Sequence, residues 1–109
     1  MNSIKNSVTL IGNLGKDPEM KQLESGKSVA RVSLATSETY KKDNGEKVTD
    51  TQWHTCVAWG KTAELMSNLL KKGKEVVVRG KLVYRNYEDT KGVKRSIPEI
   101  VVSEFVLLG

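Results

Sequence analysis

The sequence has 109 residues, of which 38% are hydrophobic and 28% charged, so it predicts one compact domain over residues 1–109. Its net charge of +5 favours an anionic partner, either nucleic acid or an acidic membrane surface, although a protein with surplus lysines would look the same. No stretch approaches the roughly 20 apolar residues of a membrane span, and no signal peptide is evident. The single cysteine, Cys56, excludes an intrachain disulfide, so we expect a cytoplasmic protein.

The first half of the chain predicts strands. Residues 7–15 are rich in Val, Thr, Leu and Ile, and residues 15–19 form a loop around Pro18, which has no backbone N–H. Residues 20–25 are a candidate short strand. A longer strand over 28–40 alternates apolar and polar residues, with one apolar face. That face contains Ala30, Val32 and Leu34.

A hairpin follows, because Asn44-Gly45 lies between the strand at 28–40 and another predicted at 50–60. A two-residue turn there would make paired residue numbers sum to about 89, so that Tyr40 opposes Thr49 and shares a face with Trp53. The same register would place the apolar side of the first strand on that face as well. A bulge or a longer loop is therefore expected.

One helix and two further strands complete the chain. Within residues 61–73 four apolar side chains share one side at helical spacing, namely Leu65, Met66, Leu69 and Leu70. Thr62 is a candidate N-cap, and Gly73 can end the segment in a left-handed conformation. Strands are predicted over 75–87 and 99–108, the last apolar on both faces, as in a closed barrel or a subunit interface. Five strands with the helix between strands 3 and 4 predict an all-β OB-fold barrel.

The stretch 51–62 allows three chemical interpretations. Gly60-Lys61-Thr62 opens the helix like a phosphate loop, but Thr55 occupies the position that requires glycine. His54 and Cys56 share a strand face, yet no third group is available to orient a catalytic pair, and a structural zinc site needs four ligands. No enzyme, metal or cofactor is therefore expected, and Cys56 is interpreted as a core residue.

The third interpretation is a stacking surface. Trp53 and Trp59 have the same parity on their strand, so both indoles project from one face unless they are buried in the barrel. The following strand carries cations and an aromatic residue on one face, whereas Tyr84 falls on the core-side face and is interpreted as structural. This combination suits single-stranded nucleic acid, whose bases stack on aromatic rings while cations follow the phosphates. The face on that strand comprises Arg79, Lys81, Val83, Arg85 and Tyr87.

Several long segments in the same order make the chain resemble the bacterial single-stranded DNA-binding proteins of replication over about residues 5–108. They are "VTLIGNLGKDPE" (8–19), "VARVSLATSETY" (29–40), "TQWHTCVAWGKTAELMSNLLKKG" (51–73) and "VVVRGKLVYRNYED" (76–89). The resemblance implies a homotetramer that binds and protects single-stranded DNA in replication, recombination and repair, in the cytoplasm at the nucleoid. It places stacking at Tyr40, Trp53, Trp59 and Tyr87.

The resemblance also assigns Lys61 and Lys72 to phosphates, beside Arg79, Lys81 and Arg85 from the strand pattern, and it places His54 at a subunit interface. Family members usually continue into an acidic tail that recruits replication and repair proteins. No such tail precedes Gly109, so these partners are not carried over. The alternative within the same class is an RNA-binding or strand-annealing OB-fold protein. Competition between matched DNA and RNA oligomers distinguishes the two, because only RNA offers a 2′-hydroxyl.

Overall fold

The computed structural model describes residues 4–108 and contains six strands and one α-helix. A 3₁₀ turn at Ile4–Asn6 precedes the first strand. The elements are β1 (Val8–Leu14), β2 (Glu19–Gln22), β3 (Ser28–Lys41), β4 (Lys47–Trp59), α1 (Gly60–Leu69), β5 (Glu75–Glu88) and β6 (Lys94–Leu108).

Five of these strands close into a barrel. The sheet order is β1-β5-β6-β4-β3-β2, and β1 also pairs with β3, so that β2 lies outside the closed ring as an addition to the start of β3. All described pairings are antiparallel except that of β4 with β6. The OB-fold prediction is confirmed. The helix follows the fourth strand rather than the third, because the segment at Glu19–Gln22 forms a strand of its own.

The core fills the barrel and is capped by α1. It draws on β1, β3, β4, β5 and β6, and the helix contributes Ala63 and Met66 from one face. Leu70, directly after the helix, is buried with them. The core residues are Leu14, Ala30, Val32, Leu34, Cys56, Ala58, Ala63, Met66, Leu70, Val76, Val78, Ile100 and Val102.

The connection between β3 and β4 decides which side chains face outward. Gly45 has φ +86° and donates its N–H to the Lys42 carbonyl at 2.9 Å, which closes a three-residue loop instead of a two-residue turn. Paired residue numbers then sum to 88, so even-numbered residues face even-numbered ones. The expected longer loop is confirmed. The placement of Tyr40 opposite Thr49 is wrong, because Tyr40 pairs with Val48.

The hairpin of β5 and β6 extends beyond the barrel. Residue pairing continues out to Glu88 and Lys94, although the core ends near Leu82. Tyr84 therefore lies on the same face of β5 as the core residues Val76 and Val78 but is 62% exposed. The structural role expected for Tyr84 is wrong, since the sheet continues where the barrel interior does not.

The ends of α1 also differ from expectation. The N-cap position is Trp59, whose side chain makes no capping hydrogen bond, so Thr62 lies inside the helix rather than at its cap. The helix ends at Leu69, and the Leu70 N–H donates to the Met66 carbonyl at 2.9 Å. Gly73 does adopt a positive φ of +88°, but in the turn that leads into β5.

Candidate nucleic-acid interface

Both tryptophans lie on the outside of the barrel. Since the even-numbered residues of β4 face the core, Trp53, Thr55 and Trp59 face outward on the same strand. The two indoles are 62% and 48% exposed, respectively. The alternative in which either indole fills the barrel is excluded, and β4 presents two large aromatic surfaces to solvent.

Trp53 rests against Gly15, the residue that follows β1. A Cβ atom built on Gly15 would lie 2.5 Å from Cζ3 and 2.9 Å from Cη2 of the indole. Carbon atoms in contact normally stay about 3.5–4.0 Å apart. Gly15 is fixed in turn by a 3.0 Å hydrogen bond from its N–H to the Ser33 carbonyl. The indole is thus seated on a backbone surface that only glycine leaves open.

The outer face of β4 continues across β6 onto β5. Val57 pairs with Val101 of β6, and Arg85 of β5 pairs with Ile97 of β6, so these side chains share one surface. Tyr87 lies two residues beyond Arg85 and is 38% exposed. The guanidinium carbon of Arg85 is 5.7 Å from the centre of the Tyr87 ring, within the range of a cation–π contact.

A carboxylate with two arginines occupies the middle of this face. Glu99 of β6 accepts a 2.7 Å hydrogen bond from Arg31 Nη1 and a 3.1 Å one from Arg85 Nε, both at Oε2. Burial by itself raises the pKa of Glu99, but the hydrogen bonds and charges of the two guanidiniums outweigh it and leave that pKa below its ordinary value. Glu99 therefore stays ionised at neutral pH.

A cavity of about 150 Å³ opens beside this cluster. Hydroxyl groups of Ser33 and Thr55 line it, together with the ion pair of Lys16 and Glu19, whose Nζ and Oε1 atoms are 2.8 Å apart. Arg31 had no predicted role in the sequence. Its partner Glu99 is 68 residues away, and no local pattern signals that pairing.

The other cations predicted to contact phosphates are spread around the barrel. Lys61 is exposed in the first turn of α1, and Lys81 is exposed on β5 opposite Val101. The backbone N–H of Lys72 donates to Asp17 Oδ1 at 2.8 Å, which fixes the loop that carries this exposed lysine. Arg79 forms an ion pair with Glu104 on the part of the sheet formed by β1, β5 and β6.

The arm formed by the outer halves of β3 and β4 has two different faces. The Trp53 side carries hydroxyls that pair across the strands, with Ser37 Oγ 3.1 Å from Thr51 Oγ1 and Thr39 Oγ1 3.2 Å from Thr49 Oγ1. On the other side, Glu38 faces Asp50 and Tyr40 faces Val48. Tyr40 is 52% exposed but does not share the surface of Trp53.

His54 and Cys56 do not form a reactive pair. The His54 ring is half-buried, with Nε2 2.9 Å from Thr36 Oγ1. Cys56 is fully buried in the core, and burial raises the pKa of its thiol to about 12, the opposite of an activated nucleophile. The segment before Gly60 is strand β4, so no glycine-rich phosphate loop precedes α1.

Across residues 4–108 no group of three or more His, Cys, Asp or Glu side chains is placed to hold a metal ion. Within the same residues, no helix has the length and apolar character needed to cross a membrane.

The sequence model of the single-strand binding protein family matches residues 5–108. The chain belongs to this family. It is 46% identical over 105 residues to "Single-stranded DNA-binding protein 1" of Chlorobaculum tepidum, covering 95% of this chain and 65% of the relative. It is 40% identical to the "Single-stranded DNA-binding protein" of Neisseria meningitidis serogroup A, covering 95% of this chain and 60% of that protein. The chain thus spans less than two thirds of the length of these two relatives.

Solved structures of the single-strand binding family share this architecture. A Plasmodium falciparum SSB in complex with single-stranded DNA superposes with a TM-score of 0.88 at 33% identity over the full length of both chains. A deletion mutant of the single-stranded DNA binding protein from Thermus aquaticus gives 0.82 at 29% identity, covering 95% of this chain and 50% of that one.

Proposed function

We propose that residues 1–109 form an OB-fold domain that binds and protects single-stranded DNA without sequence preference and without catalysing a reaction. Family membership supports this, and so do relatives named for single-stranded DNA binding. In a cell it would act in DNA replication, recombination and repair, in the cytoplasm at the nucleoid. The observation that carries the proposal is the pair of exposed indoles on the outer face of β4, beside two arginines.

The chemistry of this face suits an unpaired strand. Trp53, Trp59 and Tyr87 offer ring surfaces on which bases stack in a sequence-tolerant way, each contributing about 1–3 kcal/mol. The positive charges for the phosphates come from Arg85, Lys61, Lys72 and Lys81. Arg79 is a more distant contributor. Duplex DNA, whose bases already stack on one another, cannot use the aromatic surfaces.

Tyr40 is the predicted stacking residue that its position supports least. It lies on the side of the β3–β4 arm that also presents the facing carboxylates of Glu38 and Asp50, and these repel phosphates. We propose that it contacts DNA only where the strand passes around the arm, so Tyr40→Ala should weaken binding less than Trp53→Ala does.

Binding of a labelled oligo-dT strand, measured by fluorescence anisotropy, tests the proposal. Trp53→Ala should reduce affinity about 5- to 150-fold, the equivalent of one stacked base, while the protein remains folded. Tyr84→Ala is the matched control. Tyr84 is also 62% exposed, but it lies on the face of β5 opposite to that of Arg85 and Tyr87. Equal losses in both variants, or no binding by the unaltered protein at low salt, would overturn the proposal.

RNA binding is the alternative that the same surface leaves open. Unlabelled RNA and DNA oligomers of the same sequence, competing against labelled dT, separate the two functions. We expect DNA to compete at least as well as RNA. A clear preference for RNA would indicate that the 2′-hydroxyl is recognised.

We also propose that the protein assembles as a homotetramer. An apolar row, Ile11–Val77–Val106, crosses the outer surface of β1, β5 and β6, and Ile11 and Val106 are 56% and 59% exposed. Such a row is a typical contact between subunits. His54 stays a predicted interface residue, and within the chain its Nε2 lies 2.9 Å from Thr36 Oγ1.

Light scattering tests the assembly. Four chains of 12.1 kDa should give a mass of about 48 kDa. Val106→Glu places a charge in the apolar row and should lower the mass. A monomeric mass for the unaltered protein at micromolar concentration would contradict the tetramer.

A further inference from the structure

The surface between Trp53 and Trp59 contains a feature that simple DNA binding does not explain. Glu99, a carboxylate, lies in its middle and is only 5% exposed. A negative charge there repels a polyanion, and burying a carboxylate is unfavourable unless it is paired. Two guanidiniums do pair with it, so the question is what this arrangement contributes to the surface.

The arrangement connects distant strands. Arg31 projects from β3 and Arg85 from β5, at the two sides of the four-stranded surface, and both donate to the same oxygen of Glu99. Arg31 has to cross β4 to reach it. Val57 of β4 pairs with Arg31 and faces outward but is only 3% exposed, which agrees with a side chain crossing over it.

Most of the hydrogen-bonding capacity of both arginines remains available. A guanidinium carries five N–H donors, and each of these two gives one described hydrogen bond, to Glu99. Their side chains are 43% and 47% exposed. The three charges sum to a net +1, and Arg31 and Arg85 line the 150 Å³ cavity together with Ser33 and Thr55.

We propose that Glu99 is a positioning residue, which holds Arg31 and Arg85 together as a paired guanidinium site for DNA phosphates, and that Arg31 is a further DNA-binding residue. The inference rests on the proposed function. Without the carboxylate, the two like charges would repel each other, and each flexible side chain would lose its fixed orientation. A planar guanidinium held in place matches the oxygens of a phosphate in a bidentate fashion.

Glu99→Gln retains the shape of the side chain but removes its charge. If Glu99 only repels DNA, this variant should bind DNA more tightly, and if Glu99 positions the two arginines, it should bind more weakly. The matched control is Glu104→Gln, because Glu104 is also a β6 carboxylate paired with an arginine, Arg79, but lies on the β1–β5–β6 surface. Both variants remove one negative charge. If charge alone mattered, both would bind oligo-dT more tightly.

We expect Glu104→Gln to bind as tightly as the unaltered protein or more so, and Glu99→Gln to bind about 5- to 100-fold more weakly, as for a lost charge-assisted contact. The slope of log affinity against log salt should become shallower by about 0.7 for each phosphate released. Arg31→Gln should show the same shallower slope, and combining it with Glu99→Gln should add little further loss.

Circular dichroism establishes that each variant is folded. If Glu99→Gln tightens binding as Glu104→Gln does, the positioning role is overturned while the proposed function stands. If the unaltered protein fails to bind, the proposed function itself is overturned. Should Glu99→Gln not fold, Arg31→Gln decides the matter, since unchanged affinity and slope in that variant would refute the inference.

Discussion

Gly15→Ala tests whether the backbone beneath Trp53 sets the position of the indole. The added Cβ would lie 2.5 Å from Cζ3, so the ring has to move about 1 Å to regain an ordinary carbon–carbon separation. A stacked base contributes about 1–3 kcal/mol, and losing half of this contribution lowers affinity for oligo-dT about 2- to 12-fold. The substitution thus shifts the stacking surface without removing the tryptophan.

Stability should change little. The φ of Gly15 is not positive, so alanine can adopt this backbone, and the indole that it displaces is already 62% exposed. We expect the free energy of unfolding to remain within about 1 kcal/mol, which corresponds to roughly 4–8 °C in Tm. Affinity is measured by anisotropy and Tm by circular dichroism.

The double variant with Trp53→Ala is the control. If Gly15 acts only through the indole, Gly15→Ala should have no further effect on affinity once the indole is absent. Two results would refute the reasoning. Gly15→Ala alone could bind oligo-dT as tightly as the unaltered protein, or it could reduce affinity just as much when Trp53 is already replaced by alanine.

Three further predictions concern the core, the charged cluster and a turn. Cys56 should resist thiol reagents at pH 8 in the native state, since it is buried and its pKa is raised to about 12; stoichiometric labelling within minutes would contradict its core position. The pKa of Glu99 is lowered in the folded state, so its stabilising effect is present above the unfolded value of about 4.3 and is lost as pH falls through the lower folded value. Acid titration should accordingly show a shallower loss of stability for Glu99→Gln, and identical acid curves would argue against a paired carboxylate. Gly45→Ala forces alanine to φ +86° and should cost about 1–2 kcal/mol in urea unfolding, whereas an unchanged midpoint would exclude the left-handed turn.

The fold could be predicted from sequence because most of its signals are local. Alternation along 28–40 identifies the apolar side of β3, and the helical spacing of apolar residues identifies α1. The predicted apolar side of α1 is only half right, because Met66 and Leu70 are buried whereas Leu65 and Leu69 are 44% and 51% exposed. The exposure of Trp53 and Trp59 follows from parity once the even-numbered residues of β4 are assigned to the core.

Tyr40 and Tyr84 show what local pattern cannot provide. The side of Tyr40 depends on whether the hairpin loop has two or three residues, since one residue reverses every pairing. The exposure of Tyr84 depends on where the barrel interior ends along β5, a property of the packed structure that alternation does not encode.

The cluster of Arg31, Glu99 and Arg85 is the part of the candidate site that sequence reasoning missed. Its members come from three strands and meet only because β4 and β6 pair in parallel and thereby close the barrel. A pairing of this kind has no signature in residue spacing. It is visible only when the register of four strands is known.

Tryptophan emission during titration with oligo-dT is the most direct test of the central claim, because the indoles are both the binding surface and the reporter. Saturable quenching should occur at low salt, weaken as salt is added with a slope of about −0.7 per neutralised phosphate, and be much smaller with a duplex of equal length. Unquenched emission from folded protein at low salt, or equal quenching by duplex, would contradict a stacking surface on β4.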